Sequence, residues 1–477
     1  MPEAGDISAD EFRHAGHQLI DWIADYWEHP ERYPVLSRAR PGEIARALPA
    51  SAPEEPETLD TILRDFEQII VPGVTHWNHP GFLAYFAVTG SAPGVLGELL
   101  SAALNVNAML WRTSPAATEL EEVTLDWLRQ LLNLPGTFSG VIYDTASISS
   151  MVAMAAAREA AGPGVKTGGL AGAPPMRVYC SDQAHSSIEK AAITLGIGRE
   201  GTRTIPSDAE YRMQPARLRE AIERDIAAGD RPIFVAATVG TTATTSVDPV
   251  PKIADVCEEF GLWLHVDGAY GGTAAVIPEM RWVWEGVGRA DSIVVNPHKW
   301  LFTPIDCSAF FSRRLDVVRA AFSLVPDYLR TSESDVHNYM DYGVQLGRRF
   351  RALKLWFVLR AYGREGIVDR LREHIRLAHE LEGWIQATPN WEVAAPVPFS
   401  TVCFRYNPPG VDEETVNAVN LAIIDCVNNT GEVFISGTRL RGKEVIRLAI
   451  GHIRTTEEHV HRAWDLLQQA ARAVNAG

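Results

Sequence analysis

Three reactive side chains follow separate apolar runs of this sequence. His185 lies in the segment SDQAHSS, Asp267 in HVDGAY and Lys299 in NPHKW. Each segment comes directly after a short run that we predict to be a buried strand. In an open α/β sheet, functional groups collect where strands end at their carboxyl edge. The pattern therefore predicts that a histidine, an aspartate and a lysine meet at one edge of a sheet.

Lys299 is a candidate nucleophile. A neutral lysine amine condenses with an aldehyde to form a Schiff base, which is how several cofactors are attached to enzymes. Burial or a nearby cation lowers the pKa of the amine and favours this neutral form. A lysine that follows a strand is more often a solvated strand end, so the prediction depends on its neighbours.

Asp267 and His185 are those neighbours. A carboxylate buried at a strand end needs a cationic partner, and a pyridinium nitrogen can be that partner. A protonated ring can accept the electrons left at Cα when a carboxylate departs. The His185 ring could stack on one face of such a cofactor, with Ala269 packed on the other face. The alternatives are a helix-capping aspartate and a hydrogen-bonded structural histidine.

A phosphate group on such a cofactor needs hydrogen-bond donors at a helix N-terminus. The segment TASISS (145–150) opens a predicted helix at 147–160, and its N–H groups and hydroxyls could hold an anion. Serine and threonine are also common helix caps, so this signal is weak by itself. The nucleotide-binding patterns GxGxxG and GxxxxGK[ST] do not occur in the sequence, which argues against a nucleotide-binding protein.

The elements that must position these side chains alternate between about 90 and 360. Helical patterns alternate with short runs rich in β-branched and aromatic residues, at 176–179, 233–237, 262–266, 292–295 and 308–311. Nearly continuous apolar runs of this length are typical of strands buried on both faces. The alternation predicts an α/β fold with a mainly parallel central sheet.

The two ends of the chain have a different pattern. A capping box of Ser8 and Glu11 begins a predicted helix at 8–28, whose apolar stripe needs a partner surface. The proline-rich stretch 41–58 is predicted to be an extended connector, followed by a helix at 59–70. Beyond 360 we predict helices at 366–387 and 455–475 and strands at 391–394, 401–405 and 445–449. This pattern indicates an N-terminal helical dimerisation segment (1–90), a large α/β domain (91–360) and a small α+β domain (361–477).

The composition excludes some partners. The chain has 477 residues and a formal net charge of −16, which disfavours binding to nucleic acid. The five cysteines show neither metal-ligand nor redox-pair spacing, so we expect reduced thiols and no metal. We find neither a signal peptide nor an apolar stretch of membrane-spanning length, and we expect a cytoplasmic protein with no membrane partner.

The three reactive segments resemble, in order and spacing, the group II decarboxylases, which depend on pyridoxal 5′-phosphate (PLP). Among these the sequence is most similar to the aromatic-L-amino-acid decarboxylases. The similarity extends through nearly the whole chain and includes PGVTHWNHP (72–80), SPAATELE (114–121), NPHKWLFTPIDCSAFF (296–311), LGRRFRALKLWFV (346–358) and VIRLAI (445–450). It implies the aspartate-aminotransferase-like architecture called fold type I, and a homodimer with active sites at the subunit interface.

The resemblance also implies roles for individual residues. Lys299 would form the Schiff base, Asp267 would pair with the pyridinium nitrogen and His185 would stack on the ring. Four residues fall where the family binds phosphate, namely Ala146, Ser147, Asn296 and His298, and Thr242 falls near the ring. Trp77, Tyr85 and Phe86 fall where the family lines its substrate pocket, and Asn107 and Met109 where the partner subunit contacts the substrate. Asp144 differs from the family pattern, because it brings a negative charge close to the expected phosphate.

Tyr328 lies in a polar stretch, SLVPDYLRTSESD (323–335), which could be an exposed loop with an incidental tyrosine. Its position matches the family's mobile catalytic loop, whose tyrosine returns a proton to Cα after CO₂ leaves. In related aldehyde synthases a phenylalanine takes this place. The resemblance therefore implies decarboxylation of an L-amino acid, of the Tyr, Trp, Phe or DOPA class, to its amine. The alternatives are aldehyde synthesis, a non-aromatic substrate, or an inactive PLP-binding homologue.

Overall fold

The structure is a computed structural model that describes residues 6–162, 164–324 and 336–475. It contains two β-sheets with helices packed around them. The strands are β1 (Ser139–Tyr143), β2 (Met176–Ser181), β3 (Thr202–Ile205), β4 (Arg231–Thr238), β5 (Trp263–Asp267), β6 (Ser292–Val295), β7 (Ser308–Ser312), β8 (Trp391–Val393), β9 (Thr401–Tyr406), β10 (Ser436–Leu440) and β11 (Lys443–Ala449).

The helices cover both sheets. They are α1 (Ala9–Glu28), α2 (Glu43–Ala47), α3 (Leu59–Asp65), α4 (Ala92–Leu104), α5 (Pro115–Leu131), α6 (Ala146–Ala161), α7 (Val165–Gly168), α8 (Ser187–Thr194), α9 (Pro215–Ala227), α10 (Val250–Phe260), α11 (Pro297–Trp300), α12 (Leu315–Phe322), α13 (Arg351–Ala387), α14 (Glu413–Thr430) and α15 (Glu457–Asn475). Among the described residues, no helix has the length and hydropathy needed to cross a membrane.

The larger sheet has seven strands in the order β1-β7-β6-β5-β4-β2-β3. Strands β2 to β6 run parallel to their neighbours, and only β7 pairs antiparallel, with β6 and with β1. Every residue of β5 and of β6 is buried, because helices cover both faces of the sheet. The predicted α/β fold with a mainly parallel sheet is confirmed.

The smaller sheet has the antiparallel order β10-β11-β9-β8 and packs against α14 and α15. Helix α13 connects the two sheets. Its first half packs along α4, and its second half contributes to the apolar core of the smaller sheet. The two halves meet at Gly363, whose φ of 60° and ψ of −179° are not helical. Glycine adopts this backbone conformation without the steric cost that a Cβ would bring.

The amino-terminal helix begins where the capping box predicts, because Ser8 Oγ accepts a hydrogen bond of 3.2 Å from Glu11 N. Large apolar side chains remain exposed on α1 and on α4. They are Phe12, Leu19 and Ile20 on α1, and Leu96, Leu99, Leu100 and Leu104 on α4. Such faces need a covering surface, and the described residues of this chain do not supply one.

One loop prediction needs correction. The predicted connector 41–58 contains helix α2, which begins after Gly42 at a φ of 80°. The glycine- and proline-rich stretch 161–175 contains the one-turn helix α7. Both helices are short enough that proline and glycine nearby obscure their pattern in the sequence.

Candidate active site

A cavity of about 610 Å³ opens at the carboxyl ends of β4, β5 and β6, and residues of β10 and β11 close its other side. Lys299, Asp267 and His185 all line it. The structure thus brings together the three reactive side chains that the sequence places after separate strands. Because the strands are parallel neighbours, their carboxyl ends lie at the same edge of the sheet.

Lys299 is carried by the single turn α11, which follows β6. Its Nζ lies 5.3 Å from the centre of the Phe86 ring. Burial lowers the pKa of the Lys299 amine below its usual value, Asp267 opposes this shift, and Arg447 lowers the pKa further. These surroundings favour the neutral amine, which is the form that attacks a carbonyl carbon.

Asp267 ends β5 and is buried. Its Oδ1 accepts a hydrogen bond of 3.1 Å from the backbone N–H of Ala269. This contact fixes the carboxylate toward the cavity, which Ala269 also lines. A carboxylate held in a buried position is suited to pair with a cationic ring nitrogen.

His185 follows β2 and is held by the start of α8. The backbone N–H of Ser187 donates to His185 Nδ1 at 3.2 Å, and Ser187 Oγ lies 2.9 Å from the same atom. Since a backbone N–H can only donate, the neutral ring carries its proton on Nε2. Burial lowers the pKa of His185, with Asp267 opposing and Lys299 adding to the shift. The ring is therefore neutral and has a fixed orientation.

The cavity also has hydrogen-bond donors suited to a phosphate. Ala146 and Ser147 line it at the N-terminus of α6, where the capping residue Thr145 makes no side-chain hydrogen bond to the helix. Backbone N–H groups at a helix N-terminus favour an anion. Asn296 and His298 also line the cavity.

The side chains of His298 and Asn296 add to this fit. His298 Nδ1 accepts a hydrogen bond of 2.9 Å from Cys307 N, so its Nε2 carries the proton. Burial lowers the pKa of His298 to about 3, and the ring stays neutral. The buried Oδ1 of Asn296 has no hydrogen-bond partner among the described residues. A polar group left in this state is typical of a site that a ligand completes.

Asp144 does not point its charge at these donors. Its Oδ1 accepts a hydrogen bond of 2.6 Å from Thr145 N, and its Oδ2 accepts one of 3.3 Å from Gln345 Nε2. The carboxylate is therefore occupied by its own loop and by Gln345. The departure noted in the sequence is compatible with a phosphate at the start of α6.

Aromatic residues form the wall above Lys299. Trp77, Tyr85 and Phe86 line the cavity, and Thr242 does so beside β4. The Phe86 ring stacks on Tyr270, with centroids 4.0 Å apart and planes that differ by 19°. An aromatic wall of this kind suits a flat apolar ligand.

Arg447 on β11 also lines the cavity, and the sequence analysis missed it. Its guanidinium lies 4.5 Å from the Phe86 ring centre, and it donates to the backbone carbonyls of Tyr85 and, at 2.9 Å, of Ala243. Its Nη2 is buried without a hydrogen-bond partner among the described residues. An arginine inside the apolar run VIRLAI was the available signal, since a charge in a buried strand needs a reason.

Two predicted substrate residues do not line this cavity. The Asn107 side chain accepts a hydrogen bond of 3.0 Å from Arg348 N and lies 3.5 Å from Met109 Sδ. Their contribution from a partner subunit therefore stays a prediction. Tyr328 lies outside the described residues.

Comparison with known proteins places these features in context. The model of the pyridoxal-dependent decarboxylase conserved domain matches residues 41–407. The chain is similar to phenylacetaldehyde synthase of Arabidopsis thaliana, with 42% identity over 98% of this chain and 96% of that protein. It is also similar to tyrosine decarboxylase 4 of Petroselinum crispum, with 41% identity over 98% of this chain and 94% of that protein.

Among solved structures, the fold is similar to that of Oryza sativa TDC with PLP and tryptamine. The TM-score is 0.96 and the identity is 38%, and the match covers 99% of each chain.

Proposed function

The chain belongs to the pyridoxal-dependent decarboxylase family, and from this premise we propose that its substrate is an aromatic L-amino acid and its main product the corresponding amine. It is a PLP-dependent amino-acid decarboxylase. The observation that carries the proposal is the meeting of Lys299, Asp267 and His185 in one cavity beneath an aromatic wall. Relatives named for tyrosine decarboxylation and phenylacetaldehyde synthesis, and a solved structure holding tryptamine, support the aromatic class.

Bound PLP supplies an aldehyde for the lysine amine and a protonated ring that takes up the electron pair of the breaking bond. In our proposal the Lys299 amine would hold the cofactor through its aldehyde. Asp267 keeps the ring nitrogen protonated through its charge. His185 would lie against one face of the ring and Ala269 against the other.

The remaining residues hold the two ends of the ligand. We assign the phosphate to the N–H groups and side chains of Ala146, Ser147, Asn296 and His298, with Thr242 beside the ring. Trp77, Tyr85 and Phe86 orient the substrate side chain. This orientation would decide which bond at Cα breaks.

We propose that the working form is a homodimer in which Asn107 and Met109 reach the neighbouring substrate. The exposed apolar faces of α1 and α4 support this arrangement, because a second copy would cover them. We also keep the division into segments 1–90, 91–360 and 361–477, which the two separate sheets and the break at Gly363 support. The buried free thiols of Cys180, Cys257, Cys307 and Cys403 support a reducing, cytoplasmic location.

A substrate panel tests the proposed activity. We expect the purified protein, supplied with PLP, to release CO₂ from L-tyrosine, L-tryptophan, L-phenylalanine or L-DOPA in preference to L-glutamate and L-lysine. The measurement is CO₂ release together with product identification by mass spectrometry. Preference for a non-aromatic amino acid would refute the aromatic assignment while leaving PLP-dependent decarboxylation intact.

Aldehyde synthesis is the second candidate activity, because phenylacetaldehyde synthase is among the relatives. Tyr328 is expected to separate the two outcomes by donating a proton to Cα, a contribution on the order of 10²–10⁴-fold. We predict that Tyr328→Phe lowers the amine yield and raises aldehyde, ammonia and hydrogen peroxide, with dioxygen as the oxidant. Oxygen uptake and product analysis measure the switch.

Tyr406→Phe is a matched control for this variant, because Tyr406 lies at the end of β9 and outside the cavity. It should leave the ratio of amine to aldehyde unchanged. An unchanged amine yield in Tyr328→Phe would show that another group delivers the proton.

A further inference from the structure

A set of aromatic rings extends from the cavity into the interior of the protein. Phe86, in the cavity wall, stacks on Tyr270. Tyr270 stacks in turn on Trp300, with centroids 4.8 Å apart and planes that differ by 12°. Trp300 is the residue after Lys299 and is fully buried. The rings therefore link the cavity wall to the turn that carries the amine.

His374 of α13 lies at the inner end of this set. Its ring is nearly coplanar with that of Trp300, with planes that differ by 9° and centroids 6.5 Å apart. Trp300 Nε1 donates to His374 Nδ1 at 3.0 Å. The two rings lie edge to edge, which is a favourable geometry for a straight N–H···N hydrogen bond.

Only the neutral form of His374 can accept this bond. Indole nitrogen is a donor only, so Nδ1 must be unprotonated and the ring proton must lie on Nε2. Burial lowers the pKa of His374 to about 4, although a hydrogen bond to the backbone of His452 opposes the shift. His374 therefore has a single tautomer and is tied to two segments of the chain.

The backbone partner of His374 connects it to a second part of the cavity wall. The ring of His452 is fully buried, and its Nε2 lies 3.1 Å from the side-chain amide of Asn78. Asn78 follows Trp77, which lines the cavity. His374 thus lies between the turn of Lys299 and the segment that carries the aromatic wall.

A series of contacts begins at the Lys299 amine and returns to the backbone of the same residue. The amine faces the Phe86 ring at 5.3 Å, Phe86 stacks on Tyr270, Tyr270 stacks on Trp300, and Trp300 is bonded to Lys299 along the backbone. A rotation of the indole would therefore shift the amine and the aromatic wall together. The hydrogen bond from Trp300 Nε1 to His374 is a directional contact, and it opposes rotation of the indole in its plane.

We propose that His374 is a positioning residue. It orients Trp300 and thereby holds the Lys299 amine and the Phe86 ring in the relative positions that the reaction needs. The inference rests on the proposed role of Lys299. It differs from a purely structural role, in which the same hydrogen bond would contribute to folding stability alone.

Substitution of His374 separates these two roles. We expect His374→Leu, which removes the acceptor, to lower kcat on the order of 10–100-fold with a smaller change in KM, because the reacting groups lose their alignment. The pH midpoint of the visible absorbance of bound PLP should shift as well. Trp300→Phe removes the donor but keeps a ring, and it should reproduce both effects.

His374→Asn should restore both readouts toward the wild-type values, because its side-chain oxygen can replace Nδ1 as acceptor. The double variant His374→Leu/Trp300→Phe should be no worse than either single variant, since no buried donor is left unpaired. His379→Leu, at an exposed position of the same helix, is the matched control and should behave as wild type.

The inference is overturned if His374→Leu and Trp300→Phe lower only the unfolding temperature and keep the wild-type kcat and absorbance midpoint. If His374→Leu fails to fold, Trp300→Phe and His374→Asn decide the question by the same two readouts. A wild-type protein without a PLP absorbance band would instead refute the role of Lys299, and the inference would fall with it. The two failures are therefore distinguishable.

Discussion

Lys299→Ala is expected to lower kcat for decarboxylation by at least about 10³-fold, because the variant loses the nucleophile that holds the cofactor. The lowered pKa of this amine and its position in the cavity are the basis of the expectation. CO₂ release measures the activity. Borohydride reduction followed by mass spectrometry measures the attachment, and only the wild-type protein should retain PLP covalently at residue 299.

Two further variants make this experiment specific. Lys299→Arg keeps a positive charge but cannot lose its proton, so it should be as inactive as the alanine variant. Lys252→Ala, at an exposed position on α10, should keep full activity and the covalent attachment. Covalent PLP in the Lys299→Ala protein would show that a different amine carries the cofactor.

Asp267→Asn is expected to lower kcat by up to about 10³-fold while leaving PLP attached. A nearby opposite charge shifts a pKa by about 1–3 units, so its loss reduces the protonated fraction of the ring nitrogen by about 10–10³-fold. The amide is similar in shape, and its oxygen can still accept the hydrogen bond from Ala269 N. The lower kcat should therefore result from the missing negative charge and not from a change in structure.

The measurement combines steady-state rates with the absorbance spectrum of the bound cofactor. Asp255→Asn, on the exposed face of α10, is the control for removal of one carboxylate and should keep the wild-type rate. A fully active Asp267→Asn protein would mean that the ring nitrogen is not protonated by this residue. PLP loss instead of slow turnover would indicate a role in binding alone.

The sequence was sufficient to predict the strands at the centre of the larger sheet. Continuous apolar runs identify β2, β4, β5, β6 and β7, because helices cover both of their faces. The three strands that the pattern missed, β1, β3 and β10, are all edge strands. An edge strand has one unpaired side and includes more polar residues, so its pattern is less distinct.

The three reactive residues of the candidate site could also be predicted from the sequence. His185, Asp267 and Lys299 follow central strands, and parallel strands bring their ends together. Arg447 was missed because its contacts with Phe86 and Tyr85 depend on how the smaller sheet packs against the larger one. The direction of the Asp144 carboxylate depends on a hydrogen bond from Gln345, which is distant in the sequence.

The cavity takes its walls from segments spread along most of the chain, from Trp77 to Arg447. Contacts between residues so far apart in sequence form slowly, since long loops must close first. A chain emerging from the ribosome exposes Lys299 well before β11 has been synthesised. The cofactor pocket is therefore completed late in biogenesis, and capture of the cofactor by a finished pocket reports that the whole polypeptide has folded.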